Sequence, residues 1–328
     1  MNKYFVILFI SLLSASKCEA QYAAAAGQPG STAIFQDSSI FYQWANFVEV
    51  KRGFMNIADT ILGKASYGNE LSAIGKADNN VVSLGDGGSA ILSFENPIKN
   101  GSGWDFAVFE NSFDGSFLEL AFVEVSSDGS NFFRFPAHSL SQNNIQIGTF
   151  GNINPEKINN LAGKYKVGYG TPFDLEELKN IQGLDINNIL KIKIIDVVGS
   201  IDFNFASFDT ANNIINDPWP SSFSSSGFDL DAIGVIHSVL SAKDIANKNQ
   251  QIKVYPNPAS TSINIHLIDF EDLILKIEIF NTLGQKIQTI NANSNSIEIN
   301  LEELPSGLYV LKANTKKDYI IVKQIIKK

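Results

Sequence analysis

Cysteine is nearly missing from this sequence: the 328 residues hold one, Cys18, and it falls in a segment expected to be removed. A mature chain without thiols forms no disulfide, no thiolate nucleophile and no cysteine metal site. Histidine is almost as scarce. His138, His237 and His266 are scattered along the chain, which argues against a transition-metal centre. Basic residues are outnumbered, 25 Lys and Arg against 34 Asp and Glu, for a formal charge of −9. That balance excludes a sequence-independent grip on nucleic acid or anionic lipid, because both need a dense basic patch. No Gly-x-Ser-x-Gly elbow and no EF-hand spacing occurs. After residue 20 no apolar run is long enough for a transmembrane helix.

What is present begins with an export segment. Lys3 precedes the apolar run Phe5-Val6-Ile7-Leu8-Phe9-Ile10 with Leu12 and Leu13, and Ala20 offers a small residue for cleavage before Gln21. That order predicts a secretory signal peptide, too short to span a bilayer. Cys18 as a lipid-anchor site is the competing reading, but Lys17 stands where such a site calls for Gly, Ala or Ser. The chain is 44% hydrophobic, ample for a buried core. We divide it into a signal peptide (1–20), a large β domain (21–240), a polar linker (241–251) and a small β domain (252–328). The small domain holds nine lysines and eight acids, close to neutral, so the large domain carries nearly all the excess negative charge.

The last quarter reads as short strands separated by turns. Val254-Tyr255-Pro256-Asn257-Pro258 is a rigid turn ahead of the alternating strand Ser262-Ile263-Asn264-Ile265-His266-Leu267. Lys276-Ile277-Glu278-Ile279-Phe280 runs into Asn281-Thr282-Leu283-Gly284-Gln285, where Gly284 suits the positive φ of a hairpin bend. Ile297 to Leu301, the turn Leu304-Pro305-Ser306-Gly307, Leu308 to Lys312, Tyr319 to Lys323 and the basic end Lys327-Lys328 complete it. The pattern predicts a small immunoglobulin-like β-sandwich. These residues resemble the type A C-terminal sorting domain of type IX secretion, with its Tyr-Pro-Asn-Pro opening, Asn-x-x-Gly-Gln turn, Leu-Pro-x-Gly-x-Tyr turn and basic terminus in order. The resemblance implies recognition by the type IX machinery, passage through the outer membrane, and release or attachment at the cell surface.

The large domain alternates short apolar runs with Gly, Asn, Asp and Ser, the punctuation of an all-β fold. Predicted strands are Val81 to Leu84, then Ala90 to Phe94 after the turn Gly85-Asp86-Gly87-Gly88. A turn region over Asn96 to Gly103 leads to Trp104 through Glu110. A long strand from Phe117 to Ser126 turns at Asp128-Gly129 into Phe132 to Phe135, and late strands run over Ile192 to Val198 and Phe228 to Ile236. Two short helices are expected, one opening at Asn154-Pro155-Glu156 and stopping at Gly163, the other opening at Thr171-Pro172 with Asp174 closing a capping box. Several stretches, among them Asp105-Phe106-Ala107-Val108-Phe109-Glu110-Asn111 and Val123-Glu124-Val125-Ser126-Ser127-Asp128-Gly129, look like the jelly roll of galactose-binding-like and discoidin-type extracellular domains. That resemblance implies a large jelly-roll-like β-sandwich that binds rather than catalyses.

Acids on apolar strand faces are the candidate site. Alternation puts Glu119 with Phe117, Ala121, Val123 and Val125, and sets Asp229 and Asp231 on one face. A carboxylate in such a place is costly unless paired or bound to a cation. Glu110, Asn111, Asp114, Glu119, Asp229 and Asp231 are therefore candidate calcium ligands; the alternative is that they cap loops or pair with basic side chains. Trp44, Trp104, Tyr165, Tyr169 and Trp219 are candidate stacking residues for a sugar or planar ligand, Trp219 lying on a Pro- and Ser-rich loop.

The expected function is a secreted or cell-surface binding protein, not an enzyme, exported by type IX secretion and holding glycan or another extracellular ligand. Alternatives are surface capture of a scarce nutrient such as cobalamin for a TonB-dependent outer-membrane transporter, an adhesion or matrix role, and glycoside hydrolysis with Glu110 and Glu119 facing one cleft.

Overall fold

The computed structural model describes residues 22–239, 252–268, 273–316 and 320–328. The expected signal peptide, its Ala20–Gln21 junction and the whole of the expected linker lie outside these residues. In chain order the larger region forms β1 (Ile34–Phe35), β2 (Gln43–Trp44), β3 (Phe47–Lys51), β4 (Val82–Ser83), β5 (Ser89–Ile98), β6 (Phe106–Glu110), β7 (Ala121–Ser126) and β8 (Phe133–Arg134). There follow β9 (His138–Ser139), β10 (Ile158–Asn159), β11 (Tyr169–Phe173), β12 (Ile189–Asp196), β13 (Ser207–Phe208), β14 (Ile214–Ile215) and β15 (Asp229–Val235). The fold is all-β, with only one-turn 3-10 segments between strands among the described residues. No helix of those residues is long and apolar enough to cross a membrane.

Two antiparallel sheets dominate this region. One has the order β1–β11–β6–β15–β2, with β4 also pairing with β15; the other has the order β3–β5–β12–β7–β8. Their inward residues merge in one core: Phe106, Val108, Leu230 and Ile233 from the first sheet meet Leu92, Val123, Ile192 and Ile194 from the second. The alternation read from Ala121 to Val125 holds. Ala121, Val123 and Val125 join that core, while Phe122 turns away with Leu118 and Leu120 into a second cluster roofed by Ile153, Ile158 and Leu161.

Three local expectations are corrected. The strand expected from Phe117 begins only at Ala121, because Asp114 caps Phe117 and the Leu120 amide is taken by the Asp217 carboxylate. Neither expected helix exceeds one 3-10 turn. Asn154 caps Pro155–Lys157 as read, but Thr171 and Pro172 lie in β11, opposite Val108 and Ala107, and Asp174 itself is the N-cap of Leu175–Leu178. The turn expected at Asn96 starts later, since β5 runs through Pro97 to Ile98.

The C-terminal region holds β16 (Ile252–Tyr255), β17 (Ser262–Leu267), β18 (Ile274–Asn281), β19 (Lys286–Ser294), β20 (Ser296–Asn300), β21 (Gly307–Thr315) and β22 (Ile320–Lys327). They make two sheets, β16–β17–β20 and β19–β18–β21–β22, around a core of Ile263, Ile265, Ile277, Ile279, Leu311 and Ile325. Gly284 has φ +78° at the β18–β19 bend, as its position requires. Tyr309 donates its hydroxyl to the Pro305 carbonyl at 2.8 Å, closing the Leu-Pro-Ser-Gly turn.

Candidate functional site

Strand polarity gathers the acids of the larger region at one end. Glu110 ends β6 and Asp229 begins the antiparallel β15 beside it; Asp196 ends β12 opposite Ala121, which begins β7 two residues after Glu119. Asp86 lies in the turn ahead of β5, and Asp217 reaches the Leu120 amide at 3.1 Å. These six carboxylates share one end of both sheets.

Backbone amides position four of them, Asp86, Asp196, Glu110 and Asp217. Asp86 Oδ2 accepts from the Ile57 amide at 2.9 Å and from the Trp219 indole at 2.9 Å. Asp196 bridges the two sheets, accepting from the Phe228 amide at 2.7 Å and the Gly87 amide at 3.0 Å. Asp229 accepts from the Ser83 hydroxyl. Glu110 Oε2 accepts from the Ser112 amide at 2.9 Å, whereas Glu110 Oε1 is buried with no hydrogen-bond partner. Glu119 keeps part of its surface open to solvent.

Burial and mutual repulsion push these groups upward. Asp196 rises to about 8, from burial first and then the Asp86 charge. Burial likewise lifts Glu110, with Asp229 its foremost charged neighbour, and Glu119, where Asp229 and then Glu110, Asp217 and Asp196 add repulsion. Asp217 and Asp86 are raised by burial too. Asp229 is raised by burial, tempered by Ser83 and by the charge of Arg52. Arg52 spends its guanidinium on the carbonyls of Tyr67, Ser83 and Gly68 at 2.6 to 2.8 Å.

The structure thus brings together three of the six expected cation ligands, Glu110, Glu119 and Asp229. Asp231 sits nearby but accepts from the Asp78 and Asn79 amides, and burial raises it to about 6. Asp114 caps a turn instead, its Oδ1 accepting from the Ser116 and Phe117 amides at 2.7 Å, which lowers its pKa. Asn111 is half-buried beside Glu110. Asp86, Asp196 and Asp217 were not among the expected residues. Asp196 was legible: it alternates with Ile192 and Ile194 on the core-facing side of β12, the same test that singled out Glu119. Among the described residues no group of three His, Cys, Asp or Glu side chains stands at metal-holding spacing.

The five expected stacking residues do not converge. Trp44 packs on Phe41 and Phe109 at 4.8 and 5.4 Å between centroids, and Tyr165 is buried with its hydroxyl 2.8 Å from Thr32 Oγ1. Tyr169 leans on Phe35 at 5.3 Å. Trp104 is exposed ahead of β6, at the opposite end from Glu110. Trp219 bonds an acid of the acidic end, and Tyr169 begins β11 at the same end, beside the close of β6. The rings that do assemble there are phenylalanines. Phe113 stacks on Phe117 at 4.6 Å, Phe117 lies 6.3 Å from Phe150, and Phe150 stacks on Phe223 at 6.0 Å. Phe113, Phe150 and Phe223 are 67%, 71% and 46% exposed. The three loops that carry them are cross-linked: Ile153 N donates to Ser116 O at 2.7 Å, Trp219 N to Ile147 O at 3.0 Å, and Thr149 Oγ1 to Pro220 O at 2.7 Å. Sequence reasoning missed this ladder because its rings lie far apart in the chain and follow no periodicity.

Comparison with known proteins bears mainly on the tail. No curated protein matches the chain. Solved structures with some likeness include the BSP domain of a biofilm-associated protein, at 11% identity and TM-score 0.23, over 77% of this chain and 50% of that one. A β-1,2-glucanase from Parabacteroides distasonis aligns at 10% identity and TM-score 0.27, over 90% and 38%. PorZ, a surface component of the type IX secretion system of Porphyromonas gingivalis, aligns at 10% identity and TM-score 0.22, over 85% and 35%. The chain spans half or less of the length of each, and scores of this size carry no argument about activity. Residues 253–328 match the model of the secretion system C-terminal sorting domain. The chain therefore ends in a type IX sorting domain, which implies a partner in that machinery and a place outside the cell, secreted or at its surface.

Proposed function

We propose that this exported protein is a non-enzymatic glycan-binding protein whose site is the loop end bearing the phenylalanine ladder. The observation that carries the reading is the row of exposed rings, Phe113, Phe150 and Phe223 around Phe117. Rings left facing water on cross-linked loops suit the apolar faces of pyranose sugars. Two antiparallel sheets around one core support reading the larger region as a jelly-roll-like sandwich, and the two tail sheets support an immunoglobulin-like one. One rival reading is glycoside hydrolysis by a pair of carboxyl groups: the charge of Glu110 is among those that raise Glu119.

The test is glycan-array binding by the purified chain, repeated with Phe150→Ala and Phe113→Ala. Binding that both variants lose supports the ladder. Release of reducing ends from a bound glycan favours hydrolysis. Array silence with a corrinoid absorbance shift favours nutrient capture for an outer-membrane transporter, and silence in both favours adhesion.

A further inference from the structure

We propose that the outer face of the tail sheet β19–β18–β21–β22 is the surface by which the export machinery grips this chain, and that it fits a protein partner with apolar side chains inside an acidic border. Alternation is the first argument. Ile277 and Ile279 of β18, Tyr309 and Leu311 of β21 and Ile325 of β22 belong to the tail core, so Phe280, Leu308, Val310 and Ile326 stand on the opposite face. Register brings these four together, for Phe280 pairs with Val310 and Leu308 with Ile326. Leu308 and Ile326 are 40% and 45% exposed, and Phe280 and Val310 are half-buried. The solvated side of an antiparallel sheet is ordinarily polar, and an apolar patch with a polar rim marks a place of docking.

The second argument is where the turns fall. Asn281 Oδ1 accepts from the Leu283 and Gln285 amides at 3.0 Å, folding the Asn-x-x-Gly-Gln bend that returns Lys286 opposite Phe280. The Leu-Pro-Ser-Gly turn, closed by Tyr309, leads directly into Leu308. Asn257 of the Tyr-Pro-Asn-Pro turn accepts from the Ile326 amide and donates to the Gln324 carbonyl, both at 2.9 Å. Three turns distant in sequence thus meet at one end of one sheet, and each adjoins a residue of the patch.

Charge selects the partner. Lys276 and Lys286 reach the Glu278 carboxylate at 3.3 and 3.2 Å, and Lys312 stands opposite Glu278 on β21. Three lysines against one acid leave the rim positive, which calls for an acidic border on whatever docks there. A second copy of the tail would instead bring like charges together. Anionic membranes are held by larger basic clusters than this one.

The experiment is export of the full chain from a bacterium that carries the type IX machinery, read as the fraction found outside the cell, with the Tm of each purified variant as the check on folding. Leu308→Lys with Ile326→Lys should cut that fraction about tenfold or more, because a charge pressed against apolar side chains loses its water without gaining a partner. Its Tm should change little, since both positions are exposed. Lys276→Gln with Lys312→Gln removes rim charge without adding repulsion and should lower export severalfold; if the first variant lost its fold, this one would decide. Ser296→Lys, on the exposed outer side of β20 in the other tail sheet, should be exported like the parent. Full export of both double variants would overturn the proposal, as would an equal loss in Ser296→Lys. A dimer of the parent that Leu308→Lys with Ile326→Lys dissolves would give the face to a second copy, and parent binding to phosphatidylglycerol vesicles that the glutamine variant loses would give it to a membrane; either result overturns the acidic protein partner. Glycan binding at the phenylalanine ladder involves none of these residues, so either reading can fail alone.

Discussion

Trp219 donates its indole N–H to Asp86 Oδ2 over 2.9 Å, tying the loop that carries Phe223 to the turn that begins β5. The same carboxylate oxygen accepts the Ile57 amide, so one buried acid gathers three separated segments. Trp219→Phe keeps an aromatic ring beside Phe205 but deletes the donor. We expect a loss of about 1–3 kcal/mol, the cost of leaving a buried acceptor short of a partner, measured as a lower urea midpoint. An unchanged midpoint would mean that water replaces the indole.

The pH dependence of stability follows from the raised acids. Carboxylates protonated in the fold and ionised in the unfolded chain bind more protons when folded. Their contribution is complete below the unfolded value near 4 and is lost as pH rises through the folded values, about 6 for Asp231 and about 8 for Asp196. Each contributes a slope of about 1.4 kcal/mol per pH unit inside its window. In metal-free buffer the urea midpoint should therefore fall between pH 5.5 and 8.5, and Asp196→Asn should flatten the decline. Asp114 and Asp209, lowered by backbone amides, act oppositely and set the acid limit below pH 4. A midpoint that rises toward pH 8.5 would contradict this account.

Gly163 has φ +80°, and a Cβ there would lie 1.8 Å from the Glu119 carbonyl oxygen. Gly163→Ala must displace the segment that presents Glu119. It should cost roughly 1–3 kcal/mol. Gly103→Ala is the control: at φ +81° it meets nothing within 4 Å and should cost only the backbone strain, about 1 kcal/mol. Equal Tm losses in the two variants would show that the collision is relieved without moving Glu119.

The sequence spoke most clearly where local chemistry decides the structure. β17 runs from Ser262 to Leu267 as its alternation dictates, and Asn154 caps its turn through the Glu156 amide. Where tertiary contacts overrule local preference, reading by pattern failed. Pro172 sits inside β11, and β19 is a mostly solvent-facing strand without the apolar alternation that marks its neighbours. At the candidate site, alternation placed Asp229 on a face of β15, whereas Glu119 stands two residues ahead of β7, outside the strand expected for it. Alternation did not find the pairing of Phe150 with Phe223, which depends on how loops far apart in sequence fold over one another.

Each hydrophobic interior closes over its own length of chain. Among the described residues, the buried clusters of the larger region draw on residues between Ala45 and Val235, and that of the tail on residues between Ile252 and Ile325. No apolar cluster of those residues is shared. A protease cut anywhere from 240 to 251 should therefore leave these clusters whole, so the postal label is expected to come away with the parcel still sealed.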